Sequence, residues 1–156
     1  MIILVINCGS SSIKYQLLDM KSDEVYDLLA KGIVEKIGLE TGRLQHTVIG
    51  KDKVVKDLPV PDHKVGMKLV LEALTDSEHG VLKSLDDIEA VGHRIVHGGE
   101  FFSSSALVNE DVMKKIEICC DFAPLHNPAH ILGIRAVQHV LPSVPQVVTF
   151  DTAFHQ

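Results

Sequence analysis

Four short stretches of this chain carry side chains able to handle an anion. Asn7-Cys8-Gly9-Ser10-Ser11-Ser12, followed by Lys14, offers a glycine for an unusual backbone angle, three hydroxyls, an amide and exposed N–H groups, with a cation just beyond. Such a set suits a phosphate-binding turn, and it also suits an ordinary hairpin whose small residues only satisfy turn geometry. It is not a Walker-type loop, because the second glycine before the lysine is missing and a strand, not a helix, is expected after it. Arg94, within Val91–Glu100 (VGHRIVHGGE), sits near a predicted strand end just ahead of Gly98-Gly99. Its fork of donors can grip a carboxylate or phosphate, or form a structural ion pair. His126 stands in the proline-bounded loop Ala123–Pro128 at the entrance to a helix, where an imidazole can donate to an anion or be incidental to the loop. Asp151 follows a predicted strand at its carboxyl end, where open α/β sheets hold their ligands, or else caps a turn.

Metal chemistry is poorly served by the same residues. The pairs His93/His97 and His126/His130 are four apart, but the first lies on a strand-like segment, where that spacing does not give the helical face a zinc site uses. There is no HExxH pattern and no CxxC spacing, so no zinc site is expected.

The elements that must position these groups follow from periodicity. Ile2–Ile6 is an apolar, largely β-branched run of the kind found in buried strands, and Ile13, Tyr15 and Leu17 make the segment after the turn strand-like as well. Glu24–Ile37 reads as a third strand, although Asp27–Val34 also fits a helix. Arg43–Gly50 and Lys53–Leu58 read as two strands joined by a Gly-Lys-Asp-Lys turn. From Pro61 the period changes: Val65, Leu69, Leu71, Leu74 and Val81 suit a helix entered through Pro61-Asp62, with Gly80 near its end. Ser84 and Asp86-Asp87 then introduce a strand over Ile88–Val96. Helices are expected over Asn109–Cys120, with Asn109 as N-cap, and over Pro128–Val140, stopped by Pro142. Gln146–Phe150 is a short buried strand leading into Asp151. Hairpins followed by alternating α and β predict a mixed sheet flanked by helices.

Composition excludes several partners. At 156 residues and 46% hydrophobic the chain can bury one sizeable core, and its formal charge of −6 without a long Lys/Arg cluster argues against nucleic acid. Three cysteines, two of them adjacent (Cys119, Cys120), do not make a disulfide framework and point to a reduced, cytoplasmic compartment. The first strand is too short and too uncharged at its front for a signal peptide, and no apolar run reaches membrane-spanning length. Because the chain stops just past a strand with no closing helix, residues 1–156 are expected to be one domain of a longer protein.

Taken together, NCGSSSIK (Asn7–Lys14), GHRIVHGGE (Gly92–Glu100), APLHNPA (Ala123–Ala129) and FDTAFHQ (Phe150–Gln156) closely resemble the acetate kinase family, in its order and at its spacing. The resemblance covers the whole chain, which is less than half of a full-length member; propionate and butyrate kinases share parts of these signatures. It implies an α/β, ribonuclease-H-like mixed sheet, the N-terminal domain of the acetate and sugar kinase/Hsp70/actin superfamily, with the second, nucleotide-binding domain beyond Gln156. It implies reversible phosphoryl transfer from ATP to acetate, with Mg²⁺ or Mn²⁺, in a homodimeric full-length enzyme, and little activity for this domain alone.

By the same resemblance, Asn7 lies by the metal and phosphates, and Ser10, Ser12 and Lys14 lie along the phosphate path. Arg94 holds the carboxylate or the phosphoryl group in flight, Val96 and Leu125 line the acetate methyl pocket, His126 stabilises the transferring phosphoryl, and Asp151 is the catalytic acidic residue. His130 departs from the family, where asparagine is expected. A different class of reading, a non-catalytic anion-binding module reusing the hairpin, leaves the co-occurrence of the four motifs unexplained.

Overall fold

The computed structural model describes residues 1–22, 25–95, 106–108 and 127–150. The first apolar run forms β1 (Ile2–Cys8), which turns back antiparallel as β2 (Ile13–Met20) with Cys8 opposite Ile13 at the turn. Then follow β3 (Tyr26–Glu35), β4 (Gly42–Val48) and β5 (Val54–Leu58), all antiparallel neighbours. The segment 27–34, which fits either period in the sequence, is strand, because its residues complete ladders with β2 and β4 on both sides. After α1 (His63–Thr75) and a 3₁₀ turn at Leu85–Asp87, β6 (Ala90–Ile95) lies parallel to β1. A short β7 (Ala106–Leu107), α2 (Asn127–Val140) and β8 (Gln146–Phe150) complete the described chain, with β8 parallel to β6. The sheet order is β5-β4-β3-β2-β1-β6-β8-β7.

Strand alternation decides which residues meet the helices. Leu4, Ile6 and Cys8 of β1, Ile13, Tyr15 and Leu17 of β2, and Leu44 and Val48 of β4 are buried with Met67, Val70, Leu71 and Leu74 of α1 and Ala136 and Val137 of α2. The helices close down on the β1–β2 turn through two glycines. A Cβ at Gly66 would lie 3.0 Å from Ile13 Cδ1, and one at Gly133 would overlap Cys8 Sγ.

Two expectations for α1 are corrected. Its buried stripe is His63, Gly66, Met67, Val70, Leu71 and Leu74, a run at i, i+3, i+4, i+7 spacing, whereas Val65 and Leu69 are half-buried. The helix also ends at Thr75, so Gly80 and Val81 lie in the following loop. There the Asp76 carboxylate accepts the N–H groups of Glu78 and His79 at 2.8 and 2.9 Å, a turn that competes with a further helical turn. The Leu74 carbonyl is satisfied from that loop, by Val81 and Leu82 N–H. The expected helix over Asn109–Cys120 lies outside the described residues.

Candidate functional site

The face of the sheet opposite the helices carries the other half of the alternation. Asn7 sits directly across from Lys14, and on the far side of β1 the register pairs Val5 with Gly92 and Ile6 with His93. Arg94 therefore emerges on the same face as Val5 and Asn7, one step beyond the last paired residue. Asn7, Lys14 and Arg94 line one cleft of about 360 Å³, together with Gln16, Lys31, Gln45 and Lys53 on the neighbouring strands. Among the described residues no carboxylate lines it, so four cationic side chains converge there in a chain of formal charge −6. Lys14, Lys31 and Arg94 are exposed, while Asn7 is half-buried. On the neighbouring strands Gln45 Nε2 donates to Glu35 Oε1 at 2.7 Å and Lys53 Nζ donates to Gln45 Oε1 at 3.3 Å. A low-dielectric floor with converging cations favours a multiply charged anion.

Ser10 and Ser12 stand in the turn that joins β1 to β2. That turn is tied down on several sides: Gly9 N–H donates to the Ser12 carbonyl at 2.9 Å, and Ile37 N–H donates to the Ser11 carbonyl at 2.9 Å. In addition, His63 Nε2–H donates to the Gly9 carbonyl at 2.8 Å. A Cβ at Gly9 would sit 2.8 Å from Ser12 Oγ, so the glycine permits the tight closure. Val96, Leu125, His126 and Asp151 lie outside the described residues. Strands β6 and β8 end side by side at the Ile95–Phe150 pair, the last described residues before Val96 and Asp151 in sequence.

Behind the cleft, on the helix side, polar groups are buried but engaged with one another. His46 Nε2–H donates to the His79 carbonyl at 3.1 Å, which leaves Nδ1 of the neutral ring to accept from Tyr15 O–H at 2.5 Å. Burial lowers the pKa of His46 and raises that of Tyr15. His93 is fully enclosed and donates from Nε2 to Gln146 Oε1 at 2.5 Å, and Gln146 in turn reaches the Ile134 carbonyl at 3.4 Å. Burial, with a smaller contribution from the neighbouring His130, pushes the His93 pKa down to about 4. Burial also pushes the Cys8 thiol up to about 12, leaving it a small apolar filler under Gly133 and not a nucleophile. Of the histidines weighed for zinc, His93 and His130 are both buried, and His93 is spent on this sheet-to-helix linkage.

His63 is the residue that reading the sequence overlooked. It follows the N-cap Asp62, whose carboxylate accepts Val65 N–H at 2.8 Å, and polar residues at helix entrances are ordinarily surface features. Here it is buried at 6% exposure. The available signal was its place at the head of the 63/66/67/70/71/74 stripe.

This sheet, with its glycine-serine turn between β1 and β2 and the two described helices on one face, is the ribonuclease-H-like half-fold of the acetate and sugar kinase/Hsp70/actin superfamily. The chain belongs to the acetokinase family, whose model matches residues 2–156. It is 58% identical over 153 residues to acetate kinase of Clostridium acetobutylicum, covering 98% of this chain and 37% of that protein. Against acetate kinase of Thermoanaerobacter pseudethanolicus it is 56% identical over 154 residues, covering 99% and 38%. Among solved structures, Porphyromonas gingivalis acetate kinase superposes with a TM-score of 0.93 at 46% identity, covering 98% of this chain and 38% of that one. A propionate kinase from Francisella tularensis superposes at 0.86 with 42% identity, covering 99% and 38%. The chain thus spans just over a third of the length of these relatives. Among the described residues no helix is long and apolar enough to cross a membrane.

Proposed function

We propose that this chain is the N-terminal, acetate- and phosphate-side domain of an acetate kinase, the remainder of the active site coming from a second, nucleotide-binding domain. The observation that carries the reading is the meeting of Asn7, Lys14 and Arg94 on one cationic cleft at the carboxyl ends of β1 and β6, in a chain of this family. Lys14, with Ser10 and Ser12 in the adjoining turn, lies along the path of the transferred phosphate. Arg94 offers a planar fork to the acetate carboxylate or to the phosphoryl oxygens. Val96 and Leu125 line the pocket for the acetate methyl, and His126 donates to the phosphoryl group as its charge spreads.

Acetate, with a pKa near that of Glu, about 4.3, is already ionised at neutral pH, so its oxygen attacks the γ-phosphorus without a general base. As the new P–O bond forms, the bond to the β,γ-bridging oxygen breaks and ADP leaves with the charge. The protein's task is alignment and charge neutralisation. Asp151 would orient Arg94, or a water held by the ion when one is bound, and would take no proton.

The half-buried Asn7 would supply an amide oxygen in a cleft that also holds the amides of Gln16 and Gln45, which fits a hard ion such as Mg²⁺ or Mn²⁺ that takes most of its ligands from phosphate and water. When bound, that ion neutralises charge between the phosphates. The full-length enzyme is proposed to be a cytoplasmic homodimer.

The test is ATP-dependent acetyl phosphate formation by the full-length protein carrying these residues. Replacement of Arg94 by Ala is expected to lower kcat/KM by about 10²- to 10³-fold, as for loss of a transition-state donor. Retention of full activity by that variant would overturn the assignment. The likeness to a propionate kinase supports one second reading, a longer-chain carboxylate kinase. Since one methylene is worth about 1–3 kcal/mol in such a pocket, comparing kcat/KM for acetate, propionate and butyrate decides between them.

A further inference from the structure

The turn Gly9–Ser12 is useful to an anion only if its carbonyls point away and its N–H groups point out. A trans peptide fixes that choice, because the C=O of one residue and the N–H of the next lie on opposite sides of the same plane. Three of the turn's carbonyls are drawn onto protein donors: Gly9 onto His63, Ser11 onto Ile37 N–H and Ser12 onto Gly9 N–H. In the planes of the first two, the N–H groups of Ser10 and Ser12 are thereby aimed away from α1 and from the β3–β4 connection. Two of these three tethers are main chain to main chain. The tether on Gly9 is a side chain, held at 6% exposure at the first position of α1, 54 residues away in sequence.

We propose that His63 is a positioning residue for phosphoryl transfer: by holding the Gly9 carbonyl it orients the Ser10 N–H toward the transferred phosphate. This rests on the kinase reading above and adds a residue to it. The helix and the turn meet closely around it, since Gly66, one turn along α1, is packed on Ile13 at the other end of the turn. The helix that carries the imidazole is thus seated directly on the hairpin whose carbonyl it holds. Nothing in the role requires His63 to touch substrate or change its protonation. What it supplies is one donor at a fixed place.

The test uses the full-length protein with two near-isosteric replacements. His63→Phe keeps the ring and its packing but loses the donor, while His63→Gln places an amide N–H close to where Nε2 was. The Phe variant is expected to lose about 10- to 100-fold in kcat, the scale for misplacing a reacting group by an ångström or less. Its KM for acetate should stay within about threefold, because the carboxylate is held elsewhere. The Gln variant should recover most of the lost kcat. A readout that needs no substrate accompanies this: amide hydrogen exchange across Gly9–Ser12 should quicken in the Phe variant and return toward wild type in Gln. Equal kcat and equal exchange in the Phe and Gln variants would overturn the positioning role while leaving the kinase reading intact. A wild-type protein that phosphorylates no carboxylate, with exchange still sensitive to the donor, would instead sink the kinase reading and spare the tether.

Discussion

The two faces of this sheet are built from the same strands, one residue out of phase, and they do opposite work. On the helix side Ile6, Ile13 and Leu17 are wholly buried, and the polar groups there, Tyr15, His46 and His93, are engaged with one another or with carbonyl groups. On the other side Asn7, Lys14, Gln16, Lys31 and Arg94 face an open cleft. Neighbours in sequence such as Ile13 and Lys14 thus belong to different problems, stability and chemistry. A strand lets both be specified nearly independently because its side chains alternate with a period of two.

The sharpest way to break that comparison is to truncate two adjacent residues. Ile13→Ala, in the closed core, is expected to cost about 2–5 kcal/mol of stability, measured by denaturant unfolding. Lys14→Ala, exposed, should leave stability within about 0.5 kcal/mol yet lower phosphoryl transfer by about 10²-fold or more in the full-length protein. If Lys14→Ala destabilised as much as Ile13→Ala, or left the rate untouched, the division of labour between the faces would be wrong.

A second test uses pH, and it acts on the covered face alone. His93 is neutral when folded, with a pKa near 4 against an ordinary value near 6.5, so between these values the unfolded chain binds the extra proton. Stability is then fully present above about pH 6.5 and falls as pH drops toward 4. By pH 5 the loss is roughly 2 kcal/mol from His93, with His46 shifted in the same direction and adding to it. Asp19, Asp57 and Asp76, whose carboxyls are held below the usual range by Lys21, by Arg43 and by the N–H groups of His79 and Glu78 respectively, contribute only below this window. Urea midpoints that do not move between pH 7 and 5 would contradict the buried, neutral assignment of both histidines.

Much of this was legible in the sequence because it is periodic or local. The apolar run at Ile2–Ile6, the hairpin around Gly9, the change of period at Pro61 and the strand Gln146–Phe150 all follow from patterns within a dozen residues. The meeting of Asn7 with Lys14 follows from the hairpin, whereas that of Asn7 with Arg94 needs the parallel β1–β6 ladder between residues 87 apart, which no local pattern encodes. Counting only large apolar side chains hid the true face of α1, where Gly66 matters because it is small and His63 because it reaches a carbonyl. The end of that helix was missed for a similar reason, since Asp76 stops it through hydrogen bonds and not through a glycine or proline.

The smallest expected effect bears on how tightly the covered face is closed over the turn. Gly133→Ala puts a methyl into Cys8 Sγ, with Cys8 Cβ the next atom at 3.3 Å. Overpacking of this kind costs about 1–3 kcal/mol. The clash has a specific remedy: Cys8→Ala removes the sulfur and leaves only the 3.3 Å contact, so the double variant should be more stable than the sum of the singles by about 1 kcal/mol or more. Each single change lowers stability for its own reason, overfilling in one case and a cavity in the other, and only direct contact makes the second offset the first. Additive losses in that cycle would mean that α2 stands off β1, and that the base of the turn carrying Ser10 and Ser12 is less firmly held than the geometry indicates.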